Sequence, residues 1–161
     1  MIEASEEEPR SESNVQVRVS DDSEESRAGD GVIVNMASNA GLFGCPNRSP
    51  YAASKWAVIG LTKTWAMELG PFNIRVNALC PASVSGPRIE GVIERDAQAR
   101  GVTPEAVREV YERQSSLRRF TNVEDIASMI CYLAGTGGAR ISGQAIALDG
   151  NTETLANWLD P

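Results

Sequence analysis

Two short apolar runs that do not alternate, Gly31-Val-Ile-Val-Asn-Met36 and Ile74-Arg-Val-Asn-Ala-Leu-Cys80, constrain this chain more than any other feature. A strand with one solvated face alternates apolar and polar residues, whereas one covered by helices on both faces reads as continuously apolar. Such runs belong inside a parallel sheet, and parallel neighbours need a long crossover, usually a helix. The crossover is present. It runs from Ser49, a candidate N-cap, through Pro50 in the first turn to a stop at Gly70-Pro71. Further on, Thr103-Pro104-Glu105 marks a helix start within the polar segment 88–119. Thr121-Asn-Val-Glu124 reads as a capping box, in which Thr121 and Glu124 satisfy each other's backbone donors and open a helix to about Leu133. Residues 143–148 are the third expected strand. Strands alternating with helices predict a layered α/β fold.

A chain of 161 residues with 42% apolar composition has material for one core. Its net charge of −7 is confined to one end: residues 1–30 hold ten acidic and three basic side chains, and the rest holds twelve of each. That acidic segment has no aromatic residue and little apolar surface, so disorder is the expectation for 1–30, with a boundary at 28–31. Within it, Val15-Gln16-Val17-Arg18-Val19 alternates with period two and could form a short edge strand. The folded domain is expected over 31–155, followed by a tail at 156–161. Cys45, Cys80 and Cys131 are odd in number and lack CxxC spacing, which points to reduced thiols in a cytoplasmic protein. No run approaches the length of a membrane span, and the charge balance argues against nucleic acid as a partner.

The first chemical signal is Tyr51-Ala-Ala-Ser-Lys55. Residues four apart on a helix share a face, so phenol and ammonium converge on one spot. A positive charge beside a phenol favours the phenolate, which suits the pair to acid/base work. Ser54, between them, faces elsewhere and is read as structural.

The surrounding sequence resembles the short-chain dehydrogenase/reductase family over residues 31–155. Val-Ile-Val-Asn-Met-Ala-Ser38 looks like the family's strand ending in a catalytic serine, thirteen residues before Tyr51. YAASKWAVIGLTKTWAMELGP is similar to its long helix, Ile74-Arg-Val-Asn77 with Pro81 to its next strand and cofactor loop, and ISGQAIALDG to its last strand. The resemblance implies a partial Rossmann-like fold, the last three parallel strands with flanking helices, and a reaction interconverting an alcohol and a ketone with NAD or NADP. It implies that Ser38 binds the substrate oxygen, Tyr51 moves the proton, and Lys55 tunes Tyr51 and holds the nicotinamide ribose. Pro81, Ala82 and Val84 would face the nicotinamide, although Ala82 replaces the family's glycine and Gly86 its common threonine. Segment 88–119 corresponds to the variable substrate lid. A small alcohol or carbonyl substrate is the implied partner, and assembly into a homo-oligomer through the long helix would place Trp56 and Trp65 at an interface or in the core.

The family's glycine-rich turn and its NNAG element have no counterpart here, and Arg10 stands where spacing would put the relay asparagine. The nucleotide-binding half is therefore expected to be absent. Loss of the neighbouring strand would leave Val32-Ile33-Val34 as an apolar edge, to be covered by residues 15–19 or by a second chain. Two alternatives to a truncated oxidoreductase follow: a non-catalytic interaction module derived from the family, and a hydrolase using Ser38 with Lys55 as base. The chain contains no histidine, which excludes the Ser-His-Asp form of the latter.

Overall fold

The most deeply buried strand lies inside the sheet. In the computed structural model, which describes residues 15–17 and 31–155, β3 (Ile74–Pro81) is buried from Val76 to Pro81. It pairs in parallel with β2 (Gly31–Met36), with Val32 opposite Arg75 and Val34 opposite Asn77, and with β4 (Ala145–Leu148), with Ala78 opposite Ala145. A fourth strand, β1 (Val15–Val17), lies antiparallel to β2, with Val15 opposite Val34 and Val17 opposite Val32. The sheet order is β1-β2-β3-β4.

Helices cover both faces, as continuous apolar strands require. On one side α1 (Ser49–Leu69) presents Ile59 and Val58 to Ala37, Ala78 and Cys80. On the other, α4 (Val123–Ala134) packs Leu133, Ile126, Met129 and Ile130 against Val32, Val34 and Leu79. Between β3 and α4 the chain forms α2 (Pro87–Arg100) and α3 (Pro104–Glu112), which share a separate core of Ile89, Ile93, Ala97 and Val107. Polar residues inside the strands have partners: the Asn35 amide donates to Thr62 Oγ1 at 2.9 Å, and Asn77 donates to Ile141 O at 2.8 Å and accepts from Gln144 N at 3.1 Å. Arg75 donates to Leu133 O and Gly138 O, both at 2.6 Å, so a cation closes the carbonyl end of α4 onto the sheet.

The expected α/β fold with three parallel strands is observed. Several local expectations shift. The helix expected to be capped by Ser49 starts at that residue, with Arg48 in the capping position and no side-chain cap; the proline still falls in the first turn, where no amide donor is needed. The capping box moves by one residue to Asn122 and Asp125, whose carboxylate accepts from Asn122 N at 2.9 Å. Thr121 is committed elsewhere, because its hydroxyl donates to Leu148 O at 2.8 Å and its amide to Ser83 O at 3.0 Å. Thr103 caps α3 as expected, accepting from Ala106 N at 3.3 Å. The last strand begins at Ala145 instead of residue 143, since Gly143 N turns to donate to Val76 O at 2.7 Å.

Val32 to Val34 is not an open edge, because β1 occupies it. Val15–Val17, within the alternating run 15–19 that the sequence offers as an edge strand, pairs its backbone with β2. The remainder of segment 1–30, Arg10 and the 156–161 tail lie outside the described residues.

Candidate active site

Three pieces of chain meet at the carboxyl end of the sheet, where open α/β sheets offer a crevice. The first follows β2. Ala37 N donates to Leu79 O at 2.8 Å, prolonging the ladder by one step, and Ser38, extended at φ −168° and ψ 160°, caps a 3-10 turn over Asn39–Gly41. Its Oγ accepts from Ala40 N at 3.2 Å and donates to Asn39 Oδ1 at 3.3 Å. Asn39 in turn donates to Thr152 Oγ1 at 3.0 Å, which ties this turn to the segment after β4.

The second piece is the first turn of α1. Lys55 Nζ lies 5.6 Å from the centre of the Tyr51 ring and donates to Met36 O at 3.3 Å. An ammonium has three N–H donors, so this bond leaves two for a ligand. Ser54 donates to Tyr51 O at 2.7 Å and is exposed, a structural position as expected. Gly41 sets the distance between the two pieces: a Cβ there would stand 2.9 Å from both the Lys55 carbonyl oxygen and Ile59 Cδ1. Only hydrogen fits.

The third is the loop after β3. Ala82 N donates to Leu148 O at 3.2 Å, Ser85 N to Thr121 O at 2.9 Å, and Val84 forms a bridge with Thr121. Gly86, at φ +141°, makes the backbone turn that launches α2. A cavity of about 440 Å³ lies among the three pieces, and Ser38, Tyr51, Lys55, Pro81, Ala82 and Val84 all line it. Every residue that the sequence marks for the site is thus brought to one place. Arg48, Cys45, Arg88, Tyr111 and Gln114 also line it and were not marked. Arg48 stands three residues before Tyr51, but Tyr111 and Gln114 come from the distant segment 88–119 and carry no sequence signal. Beneath the site, burial pushes the Cys80 thiol up to about 11, against the pull of the Ser38 backbone hydrogen bond and with the negative charge of Asp149 adding to the rise. That thiol stays protonated and inert at neutral pH.

A parallel sheet end with a serine at one strand terminus and a Tyr-x-x-x-Lys helix across from it defines a class of α/β oxidoreductase domains. The chain belongs to the short-chain dehydrogenase/reductase family: the family profile described as enoyl-(acyl carrier protein) reductase matches residues 16–151. D-beta-hydroxybutyrate dehydrogenase of Rhizobium meliloti is 40% identical over 125 residues, which is 77% of this chain and 48% of that protein. Among solved structures, an actinorhodin polyketide ketoreductase with NADPH superposes with a TM-score of 0.71 at 35% identity, covering 81% of this chain and 49% of that one. NAD+-bound xylitol dehydrogenase gives 0.69 at 33% identity, covering 75% and 48%. The chain spans about half the length of the curated relatives it matches. No helix among the described residues is long and apolar enough to cross a membrane.

Proposed function

We propose that this chain is the catalytic portion of an NAD(P)-dependent oxidoreductase that interconverts an alcohol and a ketone on a small molecule. The observation that carries the proposal is the convergence of Ser38, Tyr51 and Lys55 on one cavity that the Pro81–Val84 loop also lines. The donor set fits the nicotinamide half of the cofactor: Lys55 has two N–H donors left for ribose hydroxyls, and the loop offers backbone and small side chains where a flat ring needs close approach. The contact proposed for the described residues is with that half of the cofactor.

A bound nicotinamide would supply the hydride acceptor or donor. The protein's part is then proton transfer and orientation. Ser38 Oγ, held by Ala40 N, would turn its one O–H from Asn39 Oδ1 to the substrate oxygen and fix its position. In the reductive direction Tyr51 would give its phenolic proton to that oxygen as negative charge develops there, leaving a phenolate beside the Lys55 ammonium. In the oxidative direction the same phenolate would take the hydroxyl proton. A cytoplasmic, homo-oligomeric protein is part of the same proposal.

Titration of the chain with NAD and with NADP tests the reading. Saturable binding at micromolar cofactor supports it, while no binding at millimolar cofactor overturns it in favour of a non-catalytic interaction module. Where turnover of a secondary alcohol is measurable, Tyr51→Phe should lower kcat by about a hundredfold or more with cofactor affinity kept.

A further inference from the structure

The wall of the candidate active-site cavity carries three cations, Arg48, Lys55 and Arg88, and neither an aspartate nor a glutamate. Lys55 has a task in the proposed chemistry, but the two arginines have none. Arg48 is half-buried at the capping position of α1, and Arg88 is the second residue of α2, so the pair flank the cavity from two different elements. Neither joins an ion pair among the described residues; the pairs found there are Arg100 with Asp96, Arg108 with Glu90, and Arg118 with Glu153. Ile89, Val92 and Ile126 also line the cavity, beside the polar Ser83, Ser85 and Gln114. A cavity of this kind matches a ligand with an apolar body and an anionic end. A guanidinium presents a planar fork of donors that fits a carboxylate or a phosphate monoester.

We propose that the ligand of this cavity carries such an anionic group, separated by an apolar spacer from the carbinol or carbonyl carbon, and that Arg48 and Arg88 hold it. The proposal rests on the oxidoreductase reading for which end of the ligand meets Ser38 and Tyr51. The anion site itself is read by binding alone.

The test uses the full chain and calorimetry or ligand-observed NMR. The probes are hydroxy carboxylates and hydroxyalkyl phosphates of increasing chain length, each paired with an uncharged counterpart, the primary amide or the diol. One length should bind at least about tenfold more tightly than its counterpart at low salt, and the gap should narrow as salt is raised. Arg48→Gln and Arg88→Gln should each narrow it as well, whereas Arg48→Lys and Arg88→Lys, which keep the charge, should retain part of it. A carboxylate preference and a phosphate preference each support the proposal and tell the two chemistries apart. Equal affinity for anion and neutral partner at every length overturns it, and so does a gap that survives both glutamine variants. A third result would also overturn it: loss of NADH or pyrophosphate binding in the glutamine variants with the anion gap intact, since that assigns the arginines to the cofactor. Anion discrimination in a chain that shows no turnover counts against the oxidoreductase reading and for the anion site, so the two failures are distinguishable.

Discussion

A methyl group at Gly41 would lie 2.9 Å from a backbone oxygen of α1, and backbone does not yield as a flexible side chain does. Gly41→Ala should therefore push the Ser38 turn away from Lys55 and destabilise the fold by about 1–3 kcal/mol. Gly60→Ala is the control. Gly60 lies on α1 with nothing within 4 Å of its would-be Cβ, and the change should stabilise by about 0.5–1 kcal/mol; thermal unfolding of the two variants checks the contrast. Cys80 tests burial at the same scale. Exposed Cys131 should react first with a thiol reagent, and Cys80 only on unfolding. The folded thiol titrates at about 11 against an ordinary value of 9.0, so above pH 9 the unfolded chain loses this proton first. Stability should then fall as pH rises from 9 toward 11, and Cys80→Ala should flatten that slope in denaturant titrations relative to the parent.

Among the elements, β1 has the least sequence to recommend it and the most to do. Three residues form it, yet they cover Val32 to Val34, an edge of apolar side chains and unpaired amides that otherwise invites a second chain. Its direction is antiparallel in a sheet whose other pairings are parallel, so it covers β2 without extending the α/β pattern. Its acidic flanks, with ten carboxylates within residues 1–30, add charge repulsion against edge-to-edge pairing. The double change Val15→Pro with Val17→Pro should remove ladder donors, speed amide hydrogen exchange at residues 32–35, and raise the fraction of large species in sedimentation. Exchange at 32–35 that is already rapid in the parent chain would show that β1 does not hold there in solution.

At the scale of the molecule, α1 is the feature left unbalanced. The helix is rich in apolar residues, yet only Ile59 and Thr62 are buried, while Trp56 is 53% and Met67 81% exposed. Trp65 is half-buried, so core packing takes one tryptophan partly and leaves the other outside. An outer face of this composition should drive self-association; Trp56→Glu with Met67→Lys should shift sedimentation toward monomer with little change in the unfolding midpoint. The parallel strands and the pairing of Tyr51 with Lys55 were legible in the chain because they follow from local rules, the pleat and the helical repeat. Ser38 was marked instead by the resemblance to the family, and no local rule singles it out. The position of the capping box was less legible, because Thr121 and Asn122 are both fit to cap, and the choice fell to a bond between Thr121 and Leu148, twenty-seven residues away. Tyr111, Gln114 and Arg88 reach the cavity only through the way α2 and α3 pack on each other, and Asn39 meets Thr152 across 113 residues of chain. Side-chain periodicity and capping chemistry are local and can be read residue by residue, whereas contacts between distant segments depend on packing that no short window of sequence contains.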